Sequence, residues 1–160
     1  MQEIERKFLV HSNAYKREAF KSSRIAQGFL NSEKSRTVRV RMTDKKGFLT
    51  VKGLSSASGL SRFEWETEVS YEEAKALLKL CEPGQIEKRR YYVNVGQHIF
   101  EVDEFYGENQ GLTIAEIELS AEDEIFETPA WLGPEVSGEP KYYNSMLSKN
   151  PYKQWAYKTP

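Results

Sequence analysis

The sequence holds one cysteine, Cys81, in 160 residues, which excludes an internal disulfide and any metal cluster built from thiolates. Its two histidines, His11 and His98, lie far apart and lack the spacing of a histidine metal site. No apolar run approaches the ~20 residues that a membrane-crossing helix needs. The opening MQEIERKFLV is charged from its third residue onward, so it reads neither as a secretory leader nor as an anchor. Heptads, repeats and low-complexity stretches are missing. So is the GxxxxGK[ST] loop that cradles phosphate with backbone N–H groups. Neither sign of charge is in excess: 23 Lys and Arg face 24 Asp and Glu, which removes any global pull toward nucleic acid or membrane. These absences leave one soluble domain over residues 1–160, expected in a reducing cytoplasm, with neither membrane nor bulk nucleic acid as partner.

Alternation is what the sequence has in abundance. Glu3, Glu5 and Lys7 alternate with Ile4, Phe8 and Val10; Thr37, Arg39 and Arg41 alternate with Val38, Val40 and Met42. Thr50 and Lys52 stand against Leu49 and Val51, and Arg62, Glu64, Glu66 and Glu68 against Phe63, Trp65 and Val69. Further strands are expected over Ile25–Leu30, Ile86–Val95 with Lys88 and Arg90, His98–Phe105 with Glu101 and Asp103, and Thr113–Leu119 with Glu116 and Glu118. Asp44–Gly47 reads as a hairpin loop in which Gly47 is available for a positive φ. Gly53–Gly59 reads as a mobile Gly/Ser loop. Ser70 caps a predicted helix running through YEEAKALLKLC to Pro83-Gly84. Helical turns are also expected within Ser12–Ser22, at SAEDEIF from Ser120, and over KYYNSMLSK from Lys141.

The class is mainly β with a few helices, and the charges say how the sheet is arranged. A solvated face usually mixes signs. Here bases gather at Arg39, Arg41, Lys52, Lys88 and Arg90, and acids at Glu3, Glu5, Glu101, Asp103, Glu116 and Glu118. About eight strands with one apolar face are best satisfied by closing into an antiparallel barrel, which also removes the sheet edges. The charged faces then line a lumen, where unpaired charge is costly and calls for a bound counter-charge. Arginine forks and lysine ammoniums suit a polyphosphate, and clustered carboxylates suit Mg²⁺ or Mn²⁺. That pairing is the equipment of metal-assisted phosphoryl transfer.

Seven segments then fall in order along roughly residues 1–147: Glu3-Ile4-Glu5-Arg6-Lys7, Arg39-Val40-Arg41, Thr50-Val51-Lys52, GLSRFEWE from Gly59, EKRRY from Glu87, EVDEF from Glu101 and AEIEL from Ala115. The series resembles the CYTH superfamily, the triphosphate tunnel metalloenzymes, and most of all its short bacterial inorganic triphosphatases. The resemblance implies an eight-stranded tunnel that hydrolyses a triphosphate with Mg²⁺ or Mn²⁺. It implies metal binding by Glu3, Glu5, Glu116 and Glu118, assisted by Asp103, and phosphate binding by Lys7, Arg39, Arg41, Lys52, Lys88 and Arg90. Arg62, Glu64, Glu66 and Glu101 become wall residues that orient this set. Similar short bacterial members carry Tyr after the Gln-Gly of the second strand, where this chain has Phe29; the catalytic groups expected here are therefore Lys88 and Glu5, or a metal-bound hydroxide. An adenylyl cyclase, a thiamine or nucleoside triphosphatase, and a non-catalytic polyphosphate- or nucleotide-binding module stay open on the same scaffold. The aromatic-rich C-terminal tail is compatible with a homodimer.

Overall fold

Chains whose side chains alternate apolar and charged can bury only one face of each strand, and here every such segment became a strand. The computed structural model describes residues 2–155. In chain order it comprises β1 (Gln2–Val10), α1 (Tyr15–Glu18), β2 (Lys21–Asn31), β3 (Arg36–Met42), β4 (Lys46–Gly53), β5 (Ser61–Ser70), α2 (Tyr71–Leu78), β6 (Ile86–Val95), β7 (His98–Phe105), β8 (Thr113–Glu118), β9 (Leu132–Glu135) and α3 (Asn144–Leu147). Neighbours pair antiparallel in the order β5-β4-β3-β2-β6-β7-β8-β1. Strand β1 then closes onto β5 through Gln2↔Phe63, Glu3↔Arg62 and Ile4↔Ser61. Eight strands therefore form the expected closed ring, and β9 pairs with the far end of β1.

The outer apolar faces are covered in two places. Phe8, Val93, Phe100, Val102, Ala115 and Ile117 pack beneath Tyr15 of α1 and Trp131. Val40 of β3 packs beneath Ala74 and Leu78 of α2. The inner face is not charged throughout, as the sequence suggested. Leu9, Ile86, Phe105 and Ile114 share strand parity with the charged inward residues, and they form an apolar layer with Tyr142 and Leu147 of the C-terminal segment. One part of the ring's interior is thus a dry core closed by that segment, and the other part is a polar chamber.

Several local expectations are corrected. Gly47 does not adopt a positive φ; a Cβ there would stand 2.4 Å from the Ala74 Cβ, so the glycine serves the approach of α2. Helix α2 stops at Leu78 and tightens through Leu80 N–H to Leu77 carbonyl and Cys81 N–H to Leu78 carbonyl bonds before Pro83. SAEDEIF is a turn, because the Glu124 carboxylate accepts from the Ser120 N–H and hydroxyl, both at 2.6 Å, and from His98. The helix expected within Ser12–Ser22 is a four-residue turn, with β2 already running at Lys21. KYYNSMLSK breaks at Tyr143, whose extended backbone separates a 3₁₀ turn from α3. The segment around Trp131 supplies a ninth strand that was not expected. Trp155 meets Tyr142 and Tyr152 of its own chain edge to face; the rest of the tail lies outside the described residues.

Candidate active site

The polar part of the ring encloses a chamber of about 210 Å³, below the ~300–1,000 Å³ of pockets for drug-sized ligands. Strands β3, β4 and β6 give its basic wall, Arg39, Arg41, Lys52, Lys88 and Arg90. Strands β1, β5, β7 and β8 give its acidic wall, Glu3, Glu5, Glu64, Glu66, Glu101 and Glu116, with Lys7 set among them. The Gly53–Gly59 loop contributes Ser55 and Gly59 to the rim, and its chain is tied back by a Ser56 N–H to Ser61 carbonyl bond of 2.7 Å.

Opposite charges meet within the lining of the chamber. Lys52 lies 2.8 Å from Glu3 and 3.4 Å from Glu64. Lys7 lies 3.2 Å from Glu116, and Arg90 reaches Glu101 at 3.1 Å and Glu116 at 3.4 Å. Burial raises the carboxyl pKa of Glu116, but Lys7 and Arg90 outweigh it and hold the group well below the ordinary range. Glu5 is different. It has no ion pair or hydrogen bond to another described side chain, and burial together with Glu116 and Glu3 pushes it up to about 8. On the basic wall, burial brings Lys88 down to about 7, with Asp103 opposing the shift and Arg90 and Arg41 adding to it. Burial, Arg39 and Arg90 bring Arg41 down to about 9. The Arg39 Nε is buried and has no hydrogen-bond partner among the described residues, a polar donor that the protein's own groups leave unsatisfied.

Two expected metal ligands stand apart from this wall. Asp103 is 1% exposed and faces Arg90 through two hydrogen bonds, of 2.7 and 2.8 Å, and Lys88 at 2.8 Å. Its oxygens are occupied by two cations, so it acts as the counter-ion that orients them. Glu118 is opposite Glu5 in the register but exposed, outside the chamber lining. Arg62 braces the wall, donating to the Gly53 carbonyl at 3.0 Å and to Thr37 Oγ1 at 3.3 Å. Phe29 does line the chamber, as an apolar ring opposite Arg39 in the β2–β3 register. Sequence reasoning missed Gln27 and Asn144. Gln27 shares strand parity with Phe29, and a glutamine on an inward face was the signal available. Asn144 sits on an irregular segment where no periodicity points to it.

Among the described residues no three carboxylates converge closely enough to hold a cation together, since Glu3 is turned to Lys52 and Glu116 to Lys7 and Arg90. The donor chemistry nevertheless fits a hard divalent ion. Glu5 is a carboxylate without a partner beside Glu3 and Glu116, and oxygen-rich acidic sites are what Mg²⁺ and Mn²⁺ take.

A closed antiparallel ring with opposed basic and acidic walls defines a class: sheet rings whose interior is lined by charged side chains of both signs, without a backbone phosphate loop. The chain belongs to the CYTH family, its CYTH domain spanning residues 1–150. It is 50% identical over 154 residues to an inorganic triphosphatase of Acetivibrio thermocellus, covering 96% of this chain and 97% of that protein. An inorganic triphosphatase of Nitrosomonas europaea is 34% identical over 153 residues, with 92% and 97% covered. The solved structure of an inorganic triphosphatase superposes with a TM-score of 0.64 at 30% identity, covering 91% of this chain and 97% of the other. Among the described residues, no helix is long and apolar enough to cross a membrane.

Proposed function

We propose that this protein is a divalent-metal-dependent triphosphatase that hydrolyses inorganic triphosphate, or a short polyphosphate, in the chamber of its ring. The observation that carries the reading is the chamber itself, in which a basic wall of Arg39, Arg41, Lys52, Lys88 and Arg90 faces an acidic wall that includes Glu3, Glu5 and Glu116. Within it the half-buried Glu5 carboxyl makes no ion pair or hydrogen bond to another described side chain, and burial, joined by Glu116 and Glu3, raises its pKa to about 8. The 50% identity to an inorganic triphosphatase supports the same chemistry. The small chamber volume favours an inorganic chain over a bulky organic ester.

Arg39, Arg41, Lys52, Lys7, Lys88 and Arg90 bind the phosphate oxygens in this reading. Glu3, Glu5 and Glu116 hold the Mg²⁺ or Mn²⁺, with Glu118 available at the edge. When bound, the ion supplies charge neutralisation on the phosphoryl oxygens and acidifies water. The chain's own part is to orient the phosphates, to exclude bulk water and to stabilise the charge that shifts onto the leaving pyrophosphate. Lys88 and Glu5, brought to about 7 and about 8, exchange protons near neutrality and are the candidates for proton transfer. Such an enzyme belongs in the cytosol, where Cys81 stays reduced.

The test is phosphate release from inorganic triphosphate, ATP and pyrophosphate, each with Mg²⁺, with Mn²⁺ and with EDTA. Metal-dependent release that is fastest on triphosphate is the expected result. Cyclic AMP among the ATP products would replace the reading with a cyclase. Tight triphosphate binding with no release under any metal would replace it with a binding module.

A further inference from the structure

Four side chains inside the ring form one hydrogen-bonded row that strand alternation does not account for. Arg41 Nε donates to Gln27 Oε1 at 3.1 Å. Gln27 Nε2 donates to Asn144 Oδ1 at 3.0 Å. Lys88 Nζ donates to that same oxygen at 2.9 Å. The two ends fix the direction of the row, because guanidinium and ammonium groups have donors only. The Gln27 atom beside Arg41 must therefore be its oxygen, and so must the Asn144 atom beside Lys88. Gln27 is fully buried, so turning either amide over would set donor against donor where no water can repair it.

Lys88 has three N–H donors. One faces Asp103 at 2.8 Å and one faces Asn144. On a tetrahedral ammonium, two fixed acceptors also fix the third N–H, and Lys88 lines the chamber. Without Asn144 the only acceptor left to the ammonium among these partners is Asp103, which Arg90 already holds through both oxygens. The amide arrives on a rigid mount. Tyr142 and Leu147 flank it in the apolar layer with Ile86, Phe105 and Ile114. The Ser148 carbonyl that follows packs against Gly84, where a Cβ would stand 1.9 Å from that oxygen.

We propose that Asn144 is a positioning residue: its amide oxygen, delivered by the C-terminal segment, aims Lys88 directly and Arg41 through Gln27 at the bound phosphates. This rests on the reading of Lys88 and Arg41 as phosphate-binding groups.

The test compares wild type, Asn144→Ala, Asn144→Asp and Met146→Ala for kcat and KM on inorganic triphosphate with Mg²⁺, and for melting temperature. Losing a hydrogen bond to a charged group is expected to lower kcat of Asn144→Ala by about 10- to 100-fold. The exposed neighbour variant Met146→Ala stays within about twofold, the spread ordinary for a surface change. Asn144→Asp keeps an acceptor oxygen in place and holds kcat within about threefold, while its added charge repels the polyanion and raises KM. That opposite split is something a merely structural residue does not produce. An Asn144→Ala enzyme with wild-type kcat overturns the proposal, and so does an Asn144→Asp enzyme that loses kcat as fully as Ala. If Asn144→Ala does not fold, Asn144→Ser, which withdraws the oxygen by one carbon, is judged by the same criteria. If wild type releases no phosphate, the triphosphatase reading falls, and calorimetric triphosphate affinity decides for Asn144. About tenfold weaker binding by the Ala variant then supports it, and equal affinity, or no binding by wild type, overturns it.

Discussion

Glu5 and Glu116 are both half-buried inward-facing carboxyls on neighbouring strands, yet their surroundings drive them in opposite directions. Lys7 and Arg90 hold Glu116 ionised, whereas Glu5 meets Glu116 and Glu3 and is raised from 4.5 to about 8. The sign of the consequence follows from proton counting. Between 4.5 and about 8 the folded protein keeps a proton on Glu5 that the unfolded chain has lost, so this group erodes stability as pH rises through that window. In EDTA, Glu5→Gln is therefore expected to gain stability over wild type progressively from pH 4.5 to 8 and to gain no more above it. The check is the melting temperature across pH, and a constant offset between the two proteins would refute the shift. The same variant is expected to lose metal-dependent turnover with its fold intact. Alternation alone made Glu5 legible as an inward acid. It did not distinguish Glu5 from Asp103, because alternation says which face a residue takes and not whose charge it meets. Asp103 lies directly across from Arg90 in the β6–β7 register, and register is set by the whole ring.

At the scale of elements, strands β6 and β7 were legible to the residue, since a period of two leaves little freedom once one face must be buried. What was not legible lay where a second element decides the conformation. Gly47 looks like a turn glycine in DKKG, but its place is a contact: the Ala74 Cβ and Val69 Cγ2 stand 2.4 and 2.9 Å from where a Cβ would be. Gly47→Ala is expected to destabilise by about 1–3 kcal/mol through overpacking against α2. Activity should survive, because α2 lies outside the ring. Urea unfolding measures the loss, and Ala74→Gly added to the same chain should recover part of it, a coupling that a turn-conformation effect would not show. The turn at SAEDEIF is a similar case. Its acidic composition suits a helix start, but Glu124 is spent on Ser120 four residues before it and on His98, a partner that only the folded β7 brings within reach.

Across the whole molecule, a nearly neutral sequence conceals a chamber whose bases and acids already pair with one another. Lys52 rests on Glu3, Lys7 on Glu116 and Arg90 on Glu101. In the proposed reading a triphosphate would claim the bases of these pairs and a divalent cation the acids. Either ligand alone must part buried pairs and leave one side unmatched, which is costly in a confined site. Both together replace each lost partner, so each should raise the affinity of the other by the same factor. The expectation is that Mg²⁺ alone and a non-hydrolysable triphosphate analogue alone give small rises in melting temperature. Together they should give a rise larger than the sum. Saturation near 100 times the dissociation constant should reach about 2.7 kcal/mol of added stability. Thermal melts with neither, each and both ligands decide the matter, at low and at moderate salt. Because Lys52–Glu3 and Lys7–Glu116 are largely shielded from solvent, salt should weaken the coupling less than it weakens an exposed ion pair. Additive shifts would mean that the cation and the anion occupy independent sites, and that the opposed walls of the ring do not work as one chamber.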